Sequence, residues 1–181
     1  MKIQRQSILS ITSKLRGVAL DLIDAIISKD EDLKKIIRLV DQGVNSGAYH
    51  KFPKKQHLEY IQHLKSVIKK QNEGKESSEY IISFKIRGVM IGFAYVISVK
   101  NIIENGIPTV EIKQFSILEK YQSKGHSKIA LSMLMDTFGM YNIKAICFRS
   151  SRIMMHILEK EGFREFFMAP SGTRTFLRIA G

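Results

Sequence analysis

The stretch from Thr109 to Phe138 constrains the fold of this chain more than any other. Its first part, "TVEIKQFSIL", has the β-branched and aromatic content of a strand, but its alternation changes phase. Val110 and Ile112 share one parity, Phe115 and Ile117 the other. Successive strand residues point to opposite faces, so a regular strand would send the two pairs to opposite sides. Two solutions exist. In a strand buried on both faces, parity carries no information. Alternatively, one extra residue near Lys113–Gln114, a β-bulge, brings all four side chains to one face and disturbs pairing with a neighbouring strand. In the second case the backbone at Phe115, Ser116 and Ile117 is left to pair with an extended ligand.

A polar turn follows at once. Gln122, Ser123, Lys124, Gly125, His126 and Ser127 are small or polar, and Ile129, Leu131, Leu134 and Phe138 then mark an apolar helix. Gly125 permits a positive φ and close approach of the backbone. The first N–H groups of a helix have no intrahelical acceptor, and with the helix dipole they favour an anion. A splayed strand that accepts an extended amide-containing arm, followed by an anion-binding turn, suits coenzyme A. Its pantetheine arm carries the amides and its nucleotide the pyrophosphate.

At 181 residues and 44% hydrophobic content the chain has material for one domain with a real core. Its only cysteine, Cys147, excludes an intramolecular disulfide framework and fits a reducing, cytoplasmic setting. No apolar run approaches the roughly 20 residues of a membrane span, so no membrane association is expected. Five histidines and one cysteine show no metal-ligand spacing, and no metal is expected. The basic start "MKIQRQSILSITSKLRG" has a short apolar stretch and no small-residue cleavage site, so it is read neither as a secretory signal nor as a transit peptide.

Along the chain, Val18, Leu20, Leu22, Ile23, Ile26 and Ile27 recur at near-helical spacing. Asp30 is expected to cap a second helix with Leu33, Ile36, Ile37 and Val40 on one face. After the turn "QGVNSGAYHKFP", Pro53 opens a third, with Leu58, Ile61, Leu64 and Ile68 on one stripe. The period then changes to two over Ile82–Ile86 and Val89–Val99, a hairpin turned at "RG", residues 87–88. After a turn at "NIIENGIP" come strand 109–117, helix 126–138, strand 143–148, helix 152–160 and strands near 163–168 and 174–179. This order predicts an α/β or α+β domain with a mixed sheet.

The chain resembles the GNAT superfamily of N-acetyltransferases. The family turn, Gln/Arg-x-x-Gly-x-Gly/Ala, is similar to Gln122-x-x-Gly125-x-Ser127, with Ser127 as a small departure. The segment "SSRIMMHILEKEGFREF" looks like the family's later helix, ending in Gly162–Phe163. The resemblance spans residues 80 to 179. It implies a mixed, mostly antiparallel sheet with flanking helices and a splayed, bulged strand. It implies a single acyltransferase domain over 1–181, with residues 1–75 mainly helical on the acceptor side and 80–179 as the coenzyme A-binding core. It implies acetyl-CoA as co-substrate and an amine-bearing acceptor, most simply a protein. Coenzyme contacts are then expected from Phe115, Ser116, Ile117, Gln122, Ser123, Lys124, Gly125, His126 and Ser127. Ser151 falls where family members often carry an asparagine against the pantetheine arm.

Histone-type relatives carry a glutamate general base eleven residues before the turn's glutamine, and Glu111 stands eleven before Gln122. Other relatives have a tyrosine that protonates the leaving thiolate; here that position holds Leu158. Two alternatives accompany the main reading: a toxin-type relative acting on aminoacyl-tRNA, and a binding module with little turnover. The net charge of +12 predicts attraction to something acidic. The segment Lys51 to Lys75, with seven lysines interleaved with His57, Tyr60 and His63, is the candidate face for an acidic protein or RNA. A solvated helix face is the simpler account. The protein is expected to be a monomer or homodimer. Cys147 alternates with Ile143 and Ala145 and is read as core, and Ser150 and Ser151 are read as caps of helix 152–160.

Overall fold

The computed structural model describes residues 11–12, 22–99 and 106–181, the first two by backbone only. A two-residue strand, β1 (Ile11–Thr12), and β2 (Ile23–Ile27) come first. Helices α1 (Leu33–Asn45) and α2 (Lys54–Asn72) follow. Then come β3 (Glu79–Ile86), β4 (Val89–Val99), β5 (Thr109–Ile117), α3 (His126–Thr137), β6 (Asn142–Cys147), α4 (Arg152–Lys160), β7 (Arg164–Met168) and β8 (Arg174–Arg178). The strands form one sheet in the order β1-β2-β3-β4-β5-β6-β8-β7. Among the described strands only β5 and β6 pair in parallel.

Each face of the sheet has its own core. On one face α3 and α4 place Ile129, Leu131, Leu134, Met155 and Leu158 against Phe84, Val110, Ile112, Ile143 and Phe176. On the other, α1 and α2 place Ile36, Leu39, Leu64 and Ile68 against Ile81, Met90, Phe93 and Tyr95. The β3–β4 turn is the expected two-residue one. Arg87 and Gly88 both have positive φ, 48° and 76°, as a type I′ hairpin turn requires.

Three expectations for the first half are corrected. The run Ile23–Ile27 is a strand, paired antiparallel with β3, not part of a helix. A short apolar run fits either period, and the open edge of β3 decides the outcome. Asp32, not Asp30, precedes α1; its carboxylate accepts from the Lys29 N–H at 3.1 Å and from the Ser83 hydroxyl, and it pairs with Lys85 at 2.9 Å. On α2 the buried stripe is Leu64, Val67, Ile68 and Gln71, while Leu58 is exposed. Gln71 faces the sheet because its amide closes the β3 edge, accepting from the Ile81 N–H at 3.1 Å. Val18, Leu20 and most of the turn at 101–108 lie outside the described residues.

Candidate coenzyme cleft and acceptor site

The phase change in β5 is a bulge, and Lys113 is the extra residue. Val96 faces Ile112, and the next residue of β4, Tyr95, faces Gln114. Lys113 is exposed, while Val110, Ile112, Phe115 and Ile117 all belong to the α3/α4-side core. Pairing with β6 ends at the same point. The last parallel pair is Ile112 with Ala145. Beyond it Ile146 and Cys147 pair only with β8, at Thr175 and Arg174. From Lys113 onward the edge of β5 that faced β6 is therefore open.

The groups on that open edge follow from alternation. The N–H of Leu118 donates to Ile91 O at 2.8 Å, so Leu118, Ser116 and Gln114 turn their backbone groups toward β4. Phe115 and Ile117 turn theirs into the gap. Both of their carbonyls are occupied. The hydroxyl of Tyr49 donates to Phe115 O at 2.9 Å, and Gln122 Nε2 donates to Ile117 O at 2.7 Å. The N–H groups of Phe115 and Ile117 remain. The backbone of Ser116, expected with its neighbours, instead faces Phe93.

Below the gap lies the turn. Gly125 is the N-cap of α3 at φ 79°, and Ser123 also has positive φ, 58°. A Cβ on Gly125 would meet nothing within 4 Å, so glycine is needed for its φ and leaves the space above it open. Among the described residues no carbonyl accepts from the N–H groups of residues 123 to 127; the first bonds of the helix are those from Lys128 and Ile129 to Gly125 O. Residues 122 to 125 are exposed. The His126 ring is buried, and its Nδ1–H donates to Tyr121 O at 2.9 Å, which leaves this residue's backbone N–H for a ligand.

Glu111 is buried on the α1/α2 side. Its carboxylate is bridged by Lys113 Nζ at 2.9 Å and Lys144 Nζ at 3.0 Å. Burial pushes the carboxyl up, but the two ammonium groups outweigh it and hold it below the usual carboxylate range. Near the bulge on the same side, His63 and Tyr60, read from the sequence only as part of the basic face, join a polar group with Glu79, Tyr95 and Gln114. His63 Nε2 contacts both Tyr95 Oη and Glu79 Oε2 at 3.1 Å, and Tyr60 Oη donates to Gln114 Oε1 at 2.8 Å. With His57 on Asp41 at 3.0 Å, all three rings interleaved in the basic helix direct polar atoms to partners within the protein.

The connection between α1 and α2 reaches both the open edge of β5, through Tyr49, and the loop after β6, through Gly47. Ser150 donates its hydroxyl to Gly47 O and so does not cap α4; Ser151 holds the N-cap position without a side-chain cap bond. A cavity of about 680 Å³ opens here between residues 47–51, residues 148–152 and the β7–β8 turn. Cys147 is buried, which pushes its thiol up to about 11, as a core residue. Leu158 is fully buried in the same core. No group of three or more metal-ligating side chains occurs among the described residues, and no described helix is long and apolar enough to cross a membrane.

No family model and no curated protein matches the sequence. Solved structures do match. An acetyltransferase of the GNAT family from Streptococcus agalactiae superposes with a TM-score of 0.68 at 14% identity, covering 88% of this chain and 96% of that one. The fold is that of the GNAT acetyltransferases. Two further GNAT-fold matches have known ligands or targets. The PaiA N-acetyltransferase of Thermoplasma acidophilum, solved with coenzyme A, matches at TM-score 0.60 and 15% identity over 87% and 98% of the two chains. A Salmonella typhimurium acetyl transferase that modifies the N-terminal serine of ribosomal protein L7/L12 matches at 0.65 and 13% over 88% and 95%. The expected mixed, mostly antiparallel sheet with flanking helices is thus that of a GNAT fold.

Proposed function

We propose that this chain is an acetyl-CoA-dependent N-acetyltransferase whose acceptor is an amine on a protein. One observation carries the reading: pairing of β5 with β6 stops at Ile112, and the open edge leads into a turn whose N–H groups have no carbonyl partner among the described residues. The coenzyme bound by the Thermoplasma relative and the protein terminus modified by the Salmonella relative support it. In this reading the pantetheine arm lies along β5 as a missing strand would. The N–H of Phe115 polarises the thioester carbonyl, that of Ile117 holds the arm, and residues 123 to 127 receive the pyrophosphate. The neutral amine attacks the thioester carbon, the C–S bond breaks, and the second nitrogen proton passes to the departing thiolate or to solvent.

The ammonium must first lose its proton. Glu111 is the proton acceptor that the resemblance implies, and it can serve once one lysine gives way. A second route is favoured by a specific observation: Glu111 is already bridged twice, whereas the half-exposed His63 contacts Tyr95 and Glu79 beside the bulge. The basic charge supports the aminoacyl-tRNA alternative, and the bridged carboxylate supports the binding module.

Calorimetry with acetyl-CoA tests the cleft. Gly125→Glu places bulk and negative charge in the open space of the turn and should abolish binding. Gly125→Ala keeps only the backbone strain and should bind at least tenfold better than the glutamate variant. Equal binding by parent and Gly125→Glu would put the coenzyme elsewhere. Single-turnover acetylation of a peptide amine then separates transfer from binding.

A further inference from the structure

We infer that the cavity between the α1–α2 connection and the start of α4 selects acceptors carrying carboxylates close to the reacting amine. The inference rests on the acetyl-transfer reading and deepens it. Lys51, Arg149 and Arg152 line this cavity together with the imidazole of His50, and no carboxylate does. None of these four side chains has an ion-pair partner among the described residues, although the protein pairs lysines elsewhere, at Glu31, Asp32, Glu73, Glu111 and Glu161. The start of α4 adds the same sign, since its first N–H groups have no side-chain cap. Cations gathered in one concavity without counter-charge repel one another, and an anion seated there removes the repulsion.

The position of the cavity says what the anion is attached to. Tyr49 lines it, and the same tyrosine's hydroxyl touches Phe115 O on the splayed edge. The cationic pocket and the site assigned to the thioester are thus one tyrosine side chain apart. A molecule with its amine at the bulge places its next atoms beside Tyr49 and its following side chains among Lys51, Arg149 and Arg152. The volume suits a short peptide segment. The substrate class is therefore a peptide or protein with a free amino group and Asp or Glu within the next two or three residues. The site differs from the segment expected to attract acidic partners: of its seven lysines, only Lys51 lines the cavity.

The test compares two peptides that differ only in having Glu or Gln at positions two and three. The parent should prefer the acidic peptide by about 10- to 100-fold in kcat/KM, the scale of one or two hydrogen bonds to a charged group. Arg149→Gln with Arg152→Gln should cut that preference to a few-fold with KM for acetyl-CoA unchanged. All the replaced side chains are exposed, so the variants should fold. A parent that turns over both peptides equally overturns the proposal. So does a double variant that loses acetyl-CoA affinity but keeps the peptide preference, because the cations would then serve coenzyme phosphates. Calorimetric titration of both peptides into the protein saturated with coenzyme A gives a readout independent of turnover. Tighter binding of the acidic peptide without acetylation would refute transfer and leave the pocket's selectivity standing, whereas equal binding would refute the selectivity.

Discussion

Tyr49, on the connection between two helices, donates its hydroxyl to the carbonyl of Phe115, on the open edge of the sheet, across 2.9 Å. The bond fastens the α1–α2 connection to the strand that bends away from its neighbour. Burial pushes the Tyr49 phenol up, so it remains a donor at any working pH. Tyr49→Phe leaves a partly buried carbonyl without its partner. The expected loss is about 1–2 kcal/mol, roughly 2–8 °C in Tm at this chain length. KM for the acceptor should rise more than KM for acetyl-CoA. An unchanged Tm in a thermal melt would mean that the bond is not held in solution.

Glu111→Gln addresses stability and chemistry separately. The folded-state pKa of Glu111 lies below its unfolded value, so its contribution is fully present above about pH 4.3 and is lost as pH falls through the folded value. The parent should therefore lose stability on acidification below about pH 4.3, and the variant should lose less over the same window. Urea melts from pH 7 to pH 3 give the two slopes. Parallel slopes would show that the two lysine bridges do not persist.

The two proton routes give opposite kinetic patterns. If Glu111 is the acceptor, Glu111→Gln lowers turnover about 10²- to 10⁴-fold at neutral pH, with acetyl-CoA affinity within a few-fold and partial recovery at high pH. If the proton leaves through His63, His63→Ala and Tyr95→Phe lower turnover and shift its pH profile, while Glu111→Gln costs less than tenfold. Steady-state rates between pH 6 and pH 10 decide between them.

The Cys147 thiol, pushed up to about 11 by burial, should be almost entirely protonated at pH 7.5. Alkylation of the folded protein should be at least tenfold slower than that of the denatured chain. Labelling at the denatured rate would place the sulfur at an accessible site instead of in the core beneath β6.

The second half of the chain was legible from its sequence. β5, α3 and α4 fall within a residue of where the periodicity puts them, because each has a single apolar face and clear stop signals. The phase change was readable but not its cause: a bulge and a strand buried on both faces fit it equally, and the pairing of β4 on either side of Lys113 decides for the bulge. Ile23–Ile27 was not readable as a strand: five residues without turn signals fit either period, and the edge of β3 settles the matter from outside. Nor was the contact between the α1–α2 connection and β5 readable. Tyr49 and Phe115 are 66 positions apart, and no local pattern brings a hydroxyl to a carbonyl over that separation. Glu111 was found by its spacing from Gln122, but its two bridges depend on a lysine two residues on and another across the parallel pair.

Lys113 makes the cleft a matter of counting. Removing that one codon would leave Val110, Ile112, Phe115 and Ile117 in plain alternation, all still on the α3/α4 side. The core would survive, but nothing would then break the ladder after Ile112, and the strand could zip onto β6 along its whole length and close the space between the strands. A single-residue insertion is thus enough to separate an ordinary sheet from one with a slot for a ligand. Tolerance to length change should accordingly be lowest at this exposed lysine, whose side chain can be varied far more freely than its presence.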